Sequence, residues 1–334
     1  MRIVDDALAT AGSMLEQRLG DGVRRDVALA PMTTYRVGGS AALFVDVRAL
    51  EDLVAVAEIH RATGVPVLVV GRGSNMLVAD AGFDGVAISI AAFAGGIVLP
   101  DTSGPYGAPC LVTAGGGVSL PVLARRTAAA GIAGFEWAVG VPGSIGGAVR
   151  MNAGGHGSDM AACVADVDVF DLGGDGARVT TIAVEQLGLR FRASALAPLA
   201  VVLSARLHLA FGDREASERE IAEIVRWRRE HQPGGQNCGS VFVNPVPYEV
   251  AAGGLIDSLG LRGFRIGTAS VSEKHANFIQ ASEGGSAADV RAVIEAVRAR
   301  VAEATGYQLR SEVRLVGFDD ADPMSFDDRL GVGE

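Results

Sequence analysis

Residues 134–157, GFEWAVGVPGSIGGAVRMNAGGHG, are so dense in glycine, with a proline and few charges, that they are poor material for a helix or a central strand. Connections of this length without secondary structure are uncommon unless they are functional or disordered. Phe135, Trp137, Val139, Val141 and Ile145 argue against disorder. The stretch therefore reads as ordered backbone against which a ligand presses. A second segment, VGRGSNMLVAD (70–80), sets Gly71 and Gly73 directly after a strand, where missing side chains let main-chain amides approach a phosphate or pyrophosphate. Ser74 and Asn75 add side-chain donors there. No Gly-Lys-Ser/Thr closes the segment and the dinucleotide-fold spacing fails, so neither common phosphate motif applies. Taken alone, such a turn is more often structural than functional.

Around these segments the hydrophobic periodicity outlines the rest of the chain. AALFVDV (41–47), PVLVVG (66–71) and VAISI (86–90) read as strands, and Leu50, Leu53, Val54 and Ala57 at i, i+3, i+4, i+7 spacing read as a helix. Between residues 110 and 210 short apolar runs alternate with glycine clusters, and only the stretch after Leu120 reads as helical. After AFGD (210–213) a charged helix with Ile221, Ile224 and Val225 on one face opens a separate C-terminal region. Val290, Val293, Ile294, Val297 and Val301 form a further helical stripe, with Ser286 and Asp289 spaced as a capping box. SEVRLVG (311–317) reads as a strand, and the acidic tail after it as partly disordered.

A chain of 334 residues, 49% hydrophobic, buries enough surface for two or three domains. Its net charge of −10 offers no general attraction to nucleic acid or to an anionic membrane, so neither is expected as a partner. An anionic ligand must be met by a local cluster, mostly of arginine, because Lys274 is the one lysine. Cys110, Cys163 and Cys238 show no zinc-ligand spacing, so no metal is expected, and a reducing compartment suits them. No apolar run approaches the roughly 18 residues of a membrane span, and the N-terminus lacks a signal-peptide core. A cytoplasmic protein with no obligate protein partner is expected.

Six blocks in one order, TTYRVGGSA (33–41), VGRGSNMLVADAGFDGVAI, GVPGSIGGAVRMNAGGHG, GSVFVNP (239–245), LIDSLGLRGFRIGTASVSEKHANFI (255–279) and SEVRLVG, resemble the UDP-N-acetylenolpyruvoylglucosamine reductase family from about Pro31 to Gly317. The resemblance implies an α+β fold, with a two-lobed FAD-binding region of the vanillyl-alcohol-oxidase type and a smaller C-terminal α+β substrate domain. On that layout residues 1–90 form the first FAD-binding lobe, 91–213 the second, 214–318 the substrate-binding domain and 319–334 the acidic tail. The implied activity is NADPH-dependent reduction of UDP-N-acetylglucosamine enolpyruvate through FAD.

By the same resemblance, Gly71, Arg72, Gly73, Ser74, Asn75 and Met76 line the FAD pyrophosphate. Gly140, Val141, Pro142, Gly143, Ser144, Gly146 and Gly147, with Asn152, Ala153 and Gly154, enclose the rest of the cofactor. The substrate half needs cations on a carboxylate where negative charge develops and an acid for the neighbouring carbon. Arg192, in LRFRASA, matches the arginine of the family's Tyr-Arg-x-Ser segment, although Phe191 precedes it here. Ser240 matches the proton donor, and Glu312 the residue that polarises the substrate carboxylate. On the residues alone, Arg192 reads as a strand-edge arginine, Ser240 as a turn serine and Glu312 as a solvent-facing carboxylate. Cys238 with His231 is a rival nucleophilic pair, without a visible third member.

The substrate-binding candidates are Asn244, His231, Arg229 and Lys274. His231 stands where relatives commonly carry lysine, and Val243 replaces another, which leaves Arg228, Arg229, Arg265 and Lys274 as cations for a pyrophosphate. The stretch from Arg192 to Ser240 is shorter than in the family branch that carries an extra tyrosine loop, so this chain resembles the branch without it. Two alternatives stay open at this stage: another FAD-dependent oxidase or dehydrogenase of the same cofactor fold, and a non-catalytic sugar-nucleotide-binding relative.

Overall fold

The structure, a computed structural model, describes residues 2–101, 103–174 and 178–318. The tail from 319, expected to be partly disordered, lies outside the described residues. The chain divides into two contact units, and the α+β class expected from the sequence is what they contain. The first takes in the chain up to Arg25, Leu43–Arg72 and Gly85–Arg228; the second takes in Asp26–Ala42, Gly73–Asp84 and the described chain from Arg229 onward.

In the first unit the long strand Ala200–Phe211 is the axis of a largely antiparallel sheet. Val164–Asp171 pairs along one edge of it and Pro109–Gly115 along the other, with Val179–Ala183 and Ile97–Val98 outermost. Val112, Ala114, Val167, Ala205 and Leu207 are buried from these strands, and the helix Leu120–Ala129 buries Leu120, Leu123 and Ala124 in the same core. Ile221 and Ile224 of the charged helix Arg214–His231 close it, as their spacing predicted. A smaller sheet orders Val23–Ala28, Ser40–Asp46, Phe83–Ser89 and Val67–Val69, the last two parallel. Its core is shared with the helices Arg2–Leu19 and Leu50–Thr63, through Leu15, Leu53, Val56 and Ile59.

One expectation fails in the glycine-rich run. Ile145–Arg150 is a short helix despite Gly146 and Gly147, because Ser144 caps its first turn by accepting from Gly147 N and because Ile145, Ala148 and Val149 are buried. Burial of one apolar face outweighs a propensity cost of about 1 kcal/mol per glycine.

The second unit packs the helices Ala252–Ser258 and Ala287–Thr305 with a three-stranded antiparallel sheet, Arg265–Ile266, Ala269–Val271 and Ile279–Ala281. The stripe Val290, Val293, Ile294, Val297 and Val301 is buried throughout. Beside them Met76–Val78 pairs in parallel with Arg314–Val316, a shorter strand than SEVRLVG suggested. The capping box at Ser286 is only half formed. Ser286 Oγ accepts from Asp289 N, but the Asp289 carboxylate is engaged by the Thr268 amide and hydroxyl, both at 2.7 Å.

The start of helix Ala287–Thr305 is capped further by Asp80, which accepts from Ser286 Oγ (2.7 Å), Ala287 N (2.8 Å) and Ala288 N (3.0 Å). A carboxylate there also complements the positive end of the helix dipole. Partial burial works to raise the Asp80 pKa, but these three hydrogen bonds outweigh it and hold it below the ordinary aspartate value. Since the folded state has the lower pKa, this stabilisation is complete above the unfolded value near 4 and is lost as the pH falls through the folded one. Asp80→Ala is therefore expected to cost about 1–2 kcal/mol in urea titrations at neutral pH. The gap to the unsubstituted protein should narrow below about pH 4; a gap that widens in acid contradicts the capping role.

Candidate active site

The segment from Gly71 to Met76 begins in the first unit and ends in the second. In the first unit Gly71 is pressed against the second glycine-rich run, since a Cβ there would come 2.6 Å from Ser144 Oγ. Leu120 N donates to Gly143 O (3.0 Å), Ile145 N to Val118 O (2.8 Å) and Gly146 N to Gly116 O (2.8 Å), so the run is laid along the end of a strand and the start of a helix. Exposed Arg72 and Pro142 stand at the surface of these turns, and Val141 is half-buried. Asn152 adopts φ +37° and spends its side chain on the turn itself, donating to Asp159 Oδ2 (3.1 Å) and accepting from Ala161 N (2.9 Å). Ala153 and Gly154 are fixed by that turn, Gly154 pairing with Asp159 in a short hairpin.

Over Gly140 lies Arg228, whose Cδ and Nη1 would be 3.1 and 3.3 Å from a Cβ added at the glycine. His156 crowds the same point at 3.3 Å and stacks edge-on with Trp227. Burial and then the Arg228 charge hold the His156 pKa below its usual value, and burial likewise lowers that of Arg228. A half-buried guanidinium over a glycine is chemistry for an anion. Two cavities in this unit, about 330 and 430 Å³, are lined by none of the residues expected at the site. The larger is bordered by Glu136, Asp213 and Glu220, a carboxylate set unsuited to phosphates. Burial and then the Glu136 charge raise the Glu220 pKa there.

Arg192 does not stand on a strand edge. Arg190 and Ala193 exchange backbone hydrogen bonds of 3.0 and 3.1 Å, which makes Phe191 and Arg192 the two central residues of a tight turn. Arg192 takes φ +55°, a left-handed conformation that costs a residue with a Cβ about 1 kcal/mol or more, and its guanidinium lies over the exposed Phe191 ring.

In the second unit the segment of Glu312 is hydrogen-bonded to Asn75 on one side and to residues 241–243, which follow Ser240, on the other. Phe242 bridges Ser311 in antiparallel register, Val243 N donates to Arg310 O (2.9 Å) and Glu312 N donates to Val241 O (2.8 Å). On the other side of that segment Arg314 N donates to Asn75 O (2.9 Å) and Asn75 Nδ2 donates to Glu312 O (2.8 Å). Glu312 therefore sits between the segment of Ser240 and the segment of Asn75, half-buried while its neighbours Ser311 and Val313 are buried. Gly73 is forced: at φ +55° a Cβ would meet Met32 O at 2.3 Å and Thr33 Cα at 2.7 Å. Ser74 and Met76 flank Asn75, half-buried. Asn244 is exposed and accepts from Ala252 N (3.0 Å), capping a helix with the oxygen that was expected to serve the ligand. Lys274 Nζ donates to Arg229 O, which ties those two cations together, and His231 ends the helix Arg214–His231 on the surface.

Sequence reasoning passed over three buried polar atoms that have no hydrogen-bond partner among the described residues and lie close in sequence or backbone contact to the expected site residues. Thr34 Oγ1 belongs to the residue whose amide donates to Gly73 O, Trp137 Nε1 to the turn leading into Gly140, and Ser194 Oγ to the residue two after Arg192. A burial cost of about 1–3 kcal/mol per unsatisfied group makes such atoms candidates for bonds to a ligand. Each unit therefore offers donors and open backbone of the kind FAD needs: Trp137 and Ser194 with Gly71 and Gly140 in the first, Thr34 with Gly73 in the second. Thr34 was within reach of sequence reasoning, since it lies in TTYRVGGSA; Trp137 lacked any signal of a free N–H.

Comparison with known proteins reaches both units. A sequence model described as the UDP-N-acetylenolpyruvoylglucosamine reductase C-terminal domain matches residues 231–316, and one described as an FAD binding domain matches residues 41–181. The UDP-N-acetylenolpyruvoylglucosamine reductase of Heliobacterium modesticaldum is 45% identical over 287 residues, 85% of this chain and 88% of that protein. That of Gloeobacter violaceus is 40% identical over 300 residues, covering 89% and 97%. The crystal structure of the UDP-N-acetylenolpyruvylglucosamine reductase from Thermus caldophilus superposes with a TM-score of 0.72 at 34% identity, over 88% of this chain and 99% of that one.

The two glycines of the first segment should separate on substitution. Gly73→Ala strains the backbone and strikes main-chain atoms that have no room to yield, so a loss of about 2–4 kcal/mol is expected. Gly71→Ala meets only the rotatable Ser144 hydroxyl and should cost under about 1 kcal/mol. Thermal unfolding of the two variants checks this, and equal losses contradict it.

Proposed function

This chain belongs to the UDP-N-acetylenolpyruvoylglucosamine reductase family, and we propose on that premise that it reduces UDP-N-acetylglucosamine enolpyruvate to UDP-N-acetylmuramate for peptidoglycan synthesis, with NADPH as reductant and FAD as cofactor. The observation that supports this reading is the backbone pairing of residues 241–243, which follow Ser240, with residues 310–312, and the hydrogen bonds that tie Glu312 and Arg314 in turn to Asn75. Gly71 to Met76 would hold the FAD pyrophosphate, and Gly140 to Gly147 with Asn152 to Gly154 the remainder. FAD supplies hydride transfer, from NADPH to the methylene carbon of the enolpyruvyl group.

The protein's own residues then manage charge and protons. Arg192 grips the substrate carboxylate in bidentate fashion, where its fixed fork stabilises negative charge that grows as the double bond is reduced. Glu312 polarises the same carboxylate, a role that requires a shared proton or an intervening water because two bare carboxylates repel. Ser240 gives its hydroxyl proton to the carbon bearing the carboxylate. Arg229, Lys274 and His231 hold the UDP part, with Lys274 already bonded to the Arg229 carbonyl, and Asn244 has only its amide nitrogen left for it. The three free cysteines suit a reducing compartment, and we assign the reaction to the cytoplasm. Among the described residues no helix is long and apolar enough to cross a membrane.

The test is anaerobic. The FAD-loaded protein should lose its flavin absorbance on addition of NADPH and regain it on addition of UDP-N-acetylglucosamine enolpyruvate. Absorbance that stays bleached after the substrate is added contradicts the reading. Ser240→Ala should bleach near the normal rate and recover about 10²- to 10⁴-fold more slowly; equal slowing of both phases removes the proton-donor role.

A further inference from the structure

We propose that Phe191 is a positioning residue for Arg192, holding the guanidinium on the face of its ring so that the N–H fork is aimed before the substrate carboxylate arrives. The proposal rests on the role of Arg192 in the reading above and extends it to a residue that the reading does not use.

The two residues share the tip of a small hairpin. Its base is closed by Ala195 N, which donates to Leu187 O (2.7 Å), and its tip by the paired backbone bonds between Arg190 and Ala193. Leu187, Ala193, Ser194 and Leu196 are buried, and Gly188 takes φ +52° at a point where a Cβ would come 2.9 Å from Ala195 Cβ. The legs are therefore fixed to the protein, and Phe191 and Arg192 are what they present. A positive φ at the third residue of a turn belongs to the type II shape, in which glycine or asparagine is usual there. Here arginine takes that place, at φ +55°. Strain of this kind is characteristic of sites where a particular side chain has to be presented.

Phe191 is the other unusual choice. A phenyl ring that is 61% exposed contributes little to any core. Its face instead meets the Arg192 guanidinium, whose Cζ lies 5.2 Å from the ring centroid. That is inside the roughly 6 Å range of a cation–π contact. A ring differs from an acidic partner in two ways that suit this position. It leaves the positive charge in place, and it takes up none of the five N–H donors with which a guanidinium grips a carboxylate. The attraction also strengthens as water leaves the contact, which is what an arriving substrate brings about. The contact needs no hydroxyl, so phenylalanine serves it in place of the tyrosine of the family's segment.

The test times bleaching by NADPH and recovery with the enolpyruvyl substrate separately in FAD-loaded protein. Phe191→Leu, which keeps an apolar side chain without a ring, should slow recovery about 5- to 30-fold. Its bleaching and melting temperature should stay near the unsubstituted values, and Phe191→Tyr should recover at close to the unsubstituted rate. Phenylalanine carrying progressively more ring fluorines at position 191 weakens the ring face with little change of shape, and should slow recovery stepwise. A ring that merely fills space gives no such trend. One readout needs neither cofactor nor turnover: the nuclear magnetic resonance shifts of the Arg192 side-chain protons should move in Phe191→Leu and stay in Phe191→Tyr. Recovery unaltered by Phe191→Leu, a flat fluorine series, or Arg192 shifts that ignore loss of the ring overturns the proposal while the proposed reaction stands. Failure of the unsubstituted protein to recover overturns the reaction and the positioning role with it, even where the shifts report the ring contact.

Discussion

The hydrogen bonds on both sides of residues 310–316 are the constraint on which the second unit depends. Asn75 and Met76 hold one side, through Asn75 O, Asn75 Nδ2 and the parallel pairing of Met76–Val78; Val241 and Val243 hold the other. Each bond contributes about 1 kcal/mol net. Their effect on function is geometric rather than energetic. A shift of one residue in this pairing would exchange buried Val313 for half-buried Glu312 and turn the carboxylate into the core, at a cost no few hydrogen bonds would offset. Register here is therefore set by burial, and the expected proton donor, carboxylate and cofactor segment inherit it.

The first unit solves a different problem, which is to present glycine-rich backbone without letting it collapse. Its long central strand and buried apolar residues carry the load, so that the run from Gly140 to Gly154 contributes little to the core beyond Ile145, Ala148 and Val149. Ser144 serves the helix that follows it and also meets Gly71, which couples the two glycine segments through one hydroxyl. The turn carrying Arg192 adds strain that the surrounding structure must hold, as is common where a side chain has to be aimed.

Much of this was legible in the sequence, for reasons that differ by element. The helices Leu50–Thr63 and Ala287–Thr305 and the strand Ser40–Asp46 announce themselves because their apolar spacing matches the face they bury. The six collinear blocks gave the family, and family membership is what points to Arg192, Ser240 and Glu312, since no local pattern distinguishes those side chains from surface ones. Missed features are those decided by distant partners. Composition argued against a helix at Ile145–Arg150, and burial overrode it. Spacing paired Ser286 with Asp289, but Thr268 claimed the carboxylate and Asp80, about two hundred residues earlier, added to the cap. The left-handed turn at Arg192 left no trace in composition, because arginine is not a residue that signals such a turn.

Hydrogen exchange of the apo and FAD-loaded protein tests the shared ladder most directly. If the cofactor segment and the Glu312 strand move as one hydrogen-bonded piece, FAD should protect the amides of residues 73–76 and, to a similar degree, those of Glu312 and Arg314. Protection confined to 73–76, with Glu312 and Arg314 exchanging as fast as in the apo protein, would contradict the account.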